Sequence, residues 1–373
     1  MTSGRPRLLV VWHGALFPEY RKPFDLLHRS HFDVSLLVPD RWRQTLVAEQ
    51  EYVPNTNESF TTYVKRVRCP NAAVLHWYPE LVTVLEDASP DILLAIEEPY
   101  SLLTARLLLW CRRRRIPFLF HTYQDLYKRY PPPFCWTQRY VLNGSQAVLA
   151  ANRTVEQVLR MKNFAGPVVL YPYGIDPARF SPAETPRSGP LRIGYVGRFV
   201  PEKGVDLLVE AAKSLPPEVR IVLVGDGPER NRIMAHAKSC NVTYRIEWKG
   251  AAIHDQLPDI CRELDILVLP SRTTKSWQEQ FGRVLVEAMA CGVVVVGSTC
   301  GAIPEVIGDA GLTFPENDST ELASCLNRLI ESPSLRNSLI ERGRERVLAM
   351  YTHQRCAEIL YNALQMAMEP PAG

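Results

Sequence analysis

The 373-residue chain has no apolar run long enough to cross a membrane. A spanning helix takes roughly 18 or more such residues. The longest uncharged stretch toward the C-terminus, Ala288 to Pro304, is interrupted by Gly292, Gly297, Ser298, Thr299 and Gly301. Leu8–Trp12 is too short for the core of a signal peptide and lacks a small-residue cleavage site. The nine cysteines are odd in number and contain no C-x-x-C pair, which fits neither a disulfide framework nor a zinc site. A reduced, cytoplasmic protein is expected. Charge of one sign is scarce as well: 43 Lys and Arg face 40 Asp and Glu, for a net +3. No domain is strongly basic and no reader motif is present, so no nucleic-acid partner is expected. With 46% hydrophobic and 22% charged residues, the composition excludes disorder, collagen and coiled coil.

Several motifs are also missing. Gly225-Asp-Gly227 follows an apolar run but lacks the third glycine of G-x-G-x-x-G, and Gly194-Tyr-Val-Gly197 lies within a run. A nicotinamide site has no anchor, and the absence of G-x-x-x-x-G-K-[ST] and G-x-S-x-G removes the P-loop and serine-hydrolase readings.

What is present is a repeated alternation of Val/Ile/Leu-rich runs with longer helical patterns. In the first half the runs are 7–12, 33–39, 91–96, 117–121, 146–151 and 167–171; in the second they are 191–196, 219–225, 244–247, 265–270, 293–298 and 310–314. Continuous rather than alternating apolarity predicts strands covered on both faces, hence parallel sheets with crossover helices. The length predicts two domains at about 150 residues each. The Pro-rich segment Asp176–Pro190 is the natural join, which gives domains 1–180 and 181–351, and Ser334–Met368 reads as two helices with the second starting near Thr352. Residues 1–180 carry 22 Lys and Arg against 16 Asp and Glu. That excess includes Arg112–Arg115, which suits a helix C-terminus or an acidic membrane surface.

In doubly wound sheets ligands gather beyond the carboxyl ends of the strands, and with two such domains the cleft between facing edges is the expected site. Two clusters stand out there. Glu279-Gln-Phe-Gly282 leads into a helical pattern that ends at Gly292, so backbone N–H groups around Phe281–Val284 suit an anion. Glu279 and Glu287 suit sugar or ribose hydroxyls, although an isolated pair of this kind is also common as a helix-dipole partner and a solvated helix residue. Arg198 and Lys203, after the 191–196 run, supply a fork of donors and a point charge for a diphosphate.

These residues carry a resemblance. Gly197-Arg198 with Glu202-Lys203-Gly204, Leu269-Pro-Ser271, the E-x7-E spacing of Glu279 and Glu287, and Gly301-Ala-Ile-Pro-Glu305 resemble the family 4 retaining glycosyltransferases of the GT-B fold. Tyr173-Gly-Ile-Asp176, Arg179-Phe180 and Gly308-Asp-Ala-Gly311 extend it over nearly the whole chain. The resemblance implies an α/β fold of two doubly wound Rossmann-like domains facing across a cleft, with a final helix at about 352–373 completing the first. It implies a nucleoside diphosphate sugar (UDP- or GDP-sugar) as donor substrate and no metal or other cofactor. Carried over by residue, Arg198, Lys203, the amides of Arg283 and Val284, and Gly14 would meet the diphosphate. Gly14-Ala15 stands where the family often has two glycines. Glu287 would hold the ribose, Glu279, Phe281 and Gly282 the transferred sugar, and His121 would stand near the reacting centre with Glu279. A lone histidine is otherwise more often structural.

A sugar or lipid-linked acceptor would meet His13, Glu98, Tyr100 and Gln124. Glu98 equally suits a cap on the following helix, and Trp77, Tyr78 and Trp136 suit either a sugar or lipid surface or the core. The basic excess leaves peripheral contact with the inner membrane surface as an expectation. The alternatives are a sugar-nucleotide epimerase or hydrolase of the same fold, and a noncatalytic nucleotide-sugar binding protein.

Overall fold

The structure, a computed structural model, describes residues 4–43, 49–72, 74–185 and 187–369. The chain divides into two units, Met1–Gly174 with His353–Gly373, and Ile175–Thr352.

Unit 1 contains β1 (Arg7–Val11), α1 (Pro18–Ser30), β2 (Asp33–Pro39), a short antiparallel pair β3 (Arg41–Trp42) and β4 (Gln50–Glu51), and β5 (Thr61–Lys65). There follow α2 (Leu81–Ala88), β6 (Ile92–Ala95), α3 (Leu102–Arg114), β7 (Phe118–Thr122), α4 (Phe134–Gly144), β8 (Ala147–Ala150), α5 (Arg153–Met161) and β9 (Val168–Leu170). Seven strands form one parallel sheet in the order β5-β2-β1-β6-β7-β8-β9. Successive side chains of a strand point to opposite faces. Leu9, Val11, Leu93 and Phe120 therefore pack with α2 and α3 residues such as Leu85 and Leu107, while Leu8, Val10, Ile92 and Leu119 pack with Phe24 and Leu27 of α1. That is why these runs are apolar without alternation.

Unit 2 contains β10 (Arg192–Val196), α6 (Val205–Ala211), β11 (Arg220–Val224), α7 (Arg230–Ser239), β12 (Ile246–Lys249), α8 (Leu257–Arg262), β13 (Ile266–Leu269), α9 (Arg283–Ala290), β14 (Val294–Ser298), α10 (Ile303–Ile307) and β15 (Gly311–Phe314), then α11 (Ser319–Glu331) and α12 (Pro333–Met350). Its parallel sheet runs β12-β11-β10-β13-β14-β15. The strand order reverses between β1 and β6 in unit 1 and between β10 and β13 in unit 2. Loops 12–14 and 97–100 flank the first switch point, and loops 197–204 and 270–282 flank the second.

The join falls at 174/175 rather than 180/181. Phe180 is buried, the Arg262 guanidinium donates to the carbonyls of Arg179 (3.0 Å) and Ser181 (2.9 Å), and Arg344 donates to that of Phe180 (3.0 Å). Those bonds tie 175–181 to unit 2. The Pro-rich segment beyond is also anchored, since Arg187 pairs with Asp265; its Pro186 lies outside the described residues. α13 (His353–Met368) belongs to unit 1, where Cys356, Leu360, Ala363 and Leu364 cover the α1 face of the sheet. Residues 370–373 of the expected final helix lie outside the described residues. No helix among the described residues is long and apolar enough to cross a membrane.

Leu360 is fully buried on that face. Leu360→Ala is expected to cost about 2–5 kcal/mol, read as faster hydrogen exchange of the β1 and β6 amides. Unaltered protection there would show that α13 does not support the sheet.

Candidate active site

In unit 2 the loop after β10 presents Arg198, which is exposed, with its carbonyl accepting from the Tyr195 hydroxyl (2.8 Å). Lys203 follows in a helical turn closed by Gly204, whose φ is +62°. A Cβ at Gly204 would lie 2.1 Å from the carbonyl oxygen of Pro270, so only glycine lets this turn approach the end of β13. The Lys203 Nζ contacts the Glu279 carboxylate and lies 4.9 Å from the centroid of the Trp277 ring.

Glu279 is only 7% exposed. The Ser271 hydroxyl donates to its Oε2 (3.0 Å), and the Ser271 carbonyl in turn accepts from Ser298. Gly301, at φ +54°, lets the loop after β14 pass against the Glu279 backbone, where a Cβ would sit 2.2 Å from the carbonyl oxygen. The amide of Ala302 bonds that oxygen at 2.8 Å. Three strand-end loops thus hold one carboxylate against one ammonium.

α9 starts directly after this point. Its N-cap is Gly282, left-handed at φ +76°, and the first-turn amides of Arg283 and Val284 give this end the partial positive charge of a helix N-terminus. Phe281 is buried and packs edge-on to Tyr351, with ring centroids 5.7 Å apart, so its side chain is part of the core. Glu287 is 3% exposed rather than solvated. The Arg283 Nε lies 2.8 Å from its Oε1 and the His254 Nε2 3.5 Å, while the Arg283 guanidinium also reaches the His254 Nε2 at 2.6 Å. The sequence points only to the amide of Arg283; its side chain proves to be the counter-ion of Glu287. His254, which precedes α8, has nothing local in the sequence to mark it.

In unit 1 the loop after β1 carries His13 and Gly14. The backbone N–H of His13 donates to the Glu97 Oε1 (2.9 Å), its Nδ1 lies 2.7 Å from the same oxygen, and the His76 Nε2 lies 3.5 Å from Oε2. Burial pushes the Glu97 carboxyl up, but the charges of His13 and His76 and their hydrogen bonds outweigh it and hold the group at about 2. A Cβ on Gly14 would meet the Trp12 indole at 2.7 Å. The fold brings together two groups of side chains that could hold an ion. His13, His76 and Glu97 bring ligand atoms within 4.8 Å of one another, as do Glu210, His236 and Cys240 in unit 2. Neither group shows in the sequence as a set, because His13, His76 and Glu97 come from separate loops and Glu210 of α6 joins His236 and Cys240 of the α7 end only in the fold.

Glu98 is not the cap of α3; the Ser101 hydroxyl fills that place by accepting from the Leu103 amide (3.3 Å). The Glu98 carboxylate instead accepts from the Thr122 hydroxyl (2.6 Å) and the Tyr123 amide (2.9 Å), tying the loops after β6 and β7 together. Burial raises its pKa against those bonds. Tyr100 stacks on Tyr130 with centroids 4.2 Å apart. Gln124 donates to the Tyr130 hydroxyl (3.1 Å) and accepts from Gln138 (2.9 Å). Tyr78 is core, Trp77 is partly exposed and Trp136 is 67% exposed.

His121, at the end of β7, is buried and neither ring nitrogen has a hydrogen-bond partner. Its ring lies 4.4 Å from that of Tyr123 and 5.3 Å from that of Tyr171, centroid to centroid. It lines a cavity of about 30 Å³ with Trp12, Glu19, Tyr20 and Tyr173. The cavity is lined mostly by apolar and aromatic surface and is large enough for one water. Burial alone lowers the His121 pKa to about 3, so the imidazole is neutral at physiological pH.

Residues 178–346 match the family model described as Glycosyl transferases group 1. That segment is similar to the group 1 glycosyltransferases. It contains Arg198, Lys203, Glu279, Arg283 and Glu287. Over 165 residues the chain is 33% identical to N-acetyl-alpha-D-glucosaminyl L-malate synthase of Bacillus anthracis, covering 43% of this chain and 42% of the relative. It is 29% identical over 190 residues to glycogen synthase of Mycobacterium tuberculosis, covering 49% of this chain and 45% of the relative. The chain thus spans less than half the length of these curated relatives. The solved structure of HepE from Anabaena in complex with UDP superposes with a TM-score of 0.74 over 96% of this chain and 99% of that one, at 18% identity. The fold of the chain is GT-B, built from two doubly wound Rossmann-like units.

The neutral His121 has a consequence for stability. Unfolded, a histidine titrates near 6.5; folded, this one refuses the proton until about 3. Between those values the unfolded state binds more protons, so the contribution of His121 to stability rises with pH by up to about 1.4 kcal/mol per unit and is flat above. Urea unfolding at pH 5 and 7 is expected to show a smaller acid loss in His121→Phe than in wild type. An equal loss in both would contradict the buried neutral ring.

Proposed function

We propose that the chain transfers a sugar from a UDP- or GDP-sugar to an acceptor hydroxyl with retention of anomeric configuration. The observation that carries this reading is the assembly at the start of α9. Lys203 is fixed against Glu279, a helix N-terminus stands beside the pair, and Glu287 is buried at a spacing that suits ribose. The family match of this segment and a fold neighbour solved with UDP support a nucleotide-sugar donor.

The costly event is departure of the diphosphate. Arg198, Lys203 and the amides of Arg283 and Val284 meet its growing charge, the type of preorganised stabilisation that contributes most in enzymes of this kind. Arg283 and His254 occupy one side of the Glu287 carboxylate at Oε1, so Oε2 receives the ribose hydroxyls. Glu279, with Phe281 and Gly282, orients the transferred sugar. His121, neutral and without a partner in its cavity, offers a donor or an acceptor to a sugar hydroxyl. In the transfer step the acceptor oxygen bonds to the anomeric carbon as the carbon–phosphate oxygen bond breaks on the same face. The acceptor's proton passes to a phosphate oxygen of the departing diphosphate. The protein cations take the place of a divalent ion.

A thermal-shift series with UDP, GDP and their sugars tests the donor site. Arg198→Ala and Lys203→Ala each remove a charged hydrogen-bond partner and are expected to weaken the response about tenfold or more; unchanged shifts would refute the site. Product NMR and a chelator test the chemistry. The expected outcome is the donor's anomeric configuration in the product and full activity in EDTA. Inversion, or activity that returns only with magnesium, would overturn the respective step.

A further inference from the structure

A groove of about 560 Å³ opens on unit 1 between the loop at 127–130, α4 and the end of α5. Four cations line it, Lys128, Arg129, Arg139 and Lys162, and no carboxylate does. Among the described residues, Arg129 and Arg139 make no salt bridge and Lys162 feels only the longer-range attraction of Glu98, whereas buried Arg21 pairs with Glu58 at 2.8 Å. Like charges gathered in one concavity repel each other and raise the local concentration of anions.

The cations are placed, not merely crowded. The Lys162 Nζ donates to the Gln138 Oε1 (2.7 Å) and the Lys128 carbonyl (3.0 Å) and lies 5.3 Å from the ring centroids of both Tyr127 and Tyr130. Burial lowers its pKa to about 8, which leaves it charged at neutral pH but incompletely solvated. Through Gln138 and Tyr130 the groove joins Gln124 and Tyr100, the residues beyond β7 and β6 assigned above to the acceptor side. Met161 in its lining is 60% exposed, and Trp136, which follows the lining residue Cys135 on α4, is 67% exposed. Arg112, at the end of α3, lies over the Tyr140 ring of α4 and adds charge to the same helix. Cations beside exposed aromatic and thioether side chains suit the boundary of a bilayer, where one end of the ligand is anionic and the other apolar.

We propose that this groove binds the phosphate-bearing headgroup of a membrane-embedded acceptor, with Trp136 and Met161 resting among its apolar chains. The inference rests on the transfer reading above and names its acceptor class.

The test uses the full chain with vesicles of phosphatidylglycerol in phosphatidylcholine, against phosphatidylcholine alone, and with sn-glycerol 3-phosphate as a soluble probe. The wild type is expected to sediment with the anionic vesicles and to be released by salt. Each cation near such a surface changes binding about fivefold, so Arg129→Ala/Arg139→Ala is expected to weaken it about 30-fold. Trp136→Ala is expected to weaken vesicle binding while leaving the response to sn-glycerol 3-phosphate as in wild type. All variants are expected to keep the wild-type thermal shift with donor nucleotide. Vesicle binding indifferent to the double substitution would overturn the proposal. So would a response to sn-glycerol 3-phosphate without vesicle binding, which would make the ligand a soluble phosphate. A wild type that responds to donor nucleotide but does not sediment with the anionic vesicles sinks the groove alone. A wild type without any donor response sinks the transfer reading and the acceptor assignment with it.

Discussion

A carboxylate taken out of water must be met by a cation or by several hydrogen-bond donors, and that requirement shapes both strand-end regions of this chain. Parallel sheets send all their strands' carboxyl ends to one edge, so acidic residues in the loops there crowd against each other and the core. Each one is answered locally. Lys203 and Ser271 meet Glu279, Arg283 and His254 meet Glu287, His13 and His76 meet Glu97, and Thr122 with the Tyr123 amide meets Glu98.

The two units answer it differently. Unit 2 sets Lys203 and Arg283 against its two carboxylates, which are fixed in place by these contacts. At its strand ends unit 1 uses histidines, a hydroxyl and a backbone amide, and four of its fixed cations line the groove beside α4, which has no carboxylate in its lining. His121 is the extreme case, a polar ring given no partner.

Much of the architecture was legible because it is local. All twelve apolar runs became strands, since a parallel strand covered on both faces has no polar side to disguise it. β5 escaped: Thr61–Lys65 is a half-exposed edge strand whose Thr and Lys residues blur the apolar signal. The Glu279–Glu287 spacing was readable because both residues lie on or beside one helix. The Arg283–Glu287 pair, four residues apart on α9, is equally local, whereas the His254 contact and the His13–His76–Glu97 cluster were not legible, because each depends on elements the topology brings together from distant positions. The Pro-rich join was misread by a few residues. Proline content marks irregular backbone, but the position of a boundary depends on which side holds the hydrogen bonds, and Arg262 and Arg344 hold those of 179–181.

The docking of α13 on unit 1 has a bearing on how the chain is made. Synthesis runs from the N-terminus, and domains fold as units when their chain is complete. The α1 face of the first sheet, with Phe24, Leu27 and Leu119, waits uncovered while all of 175–352 emerges, because Leu360 and Leu364 come after it. Unit 2 has its whole core before unit 1 does, although unit 1 begins first. The later unit therefore matures earlier, and the nascent chain carries an open apolar surface for nearly half its length.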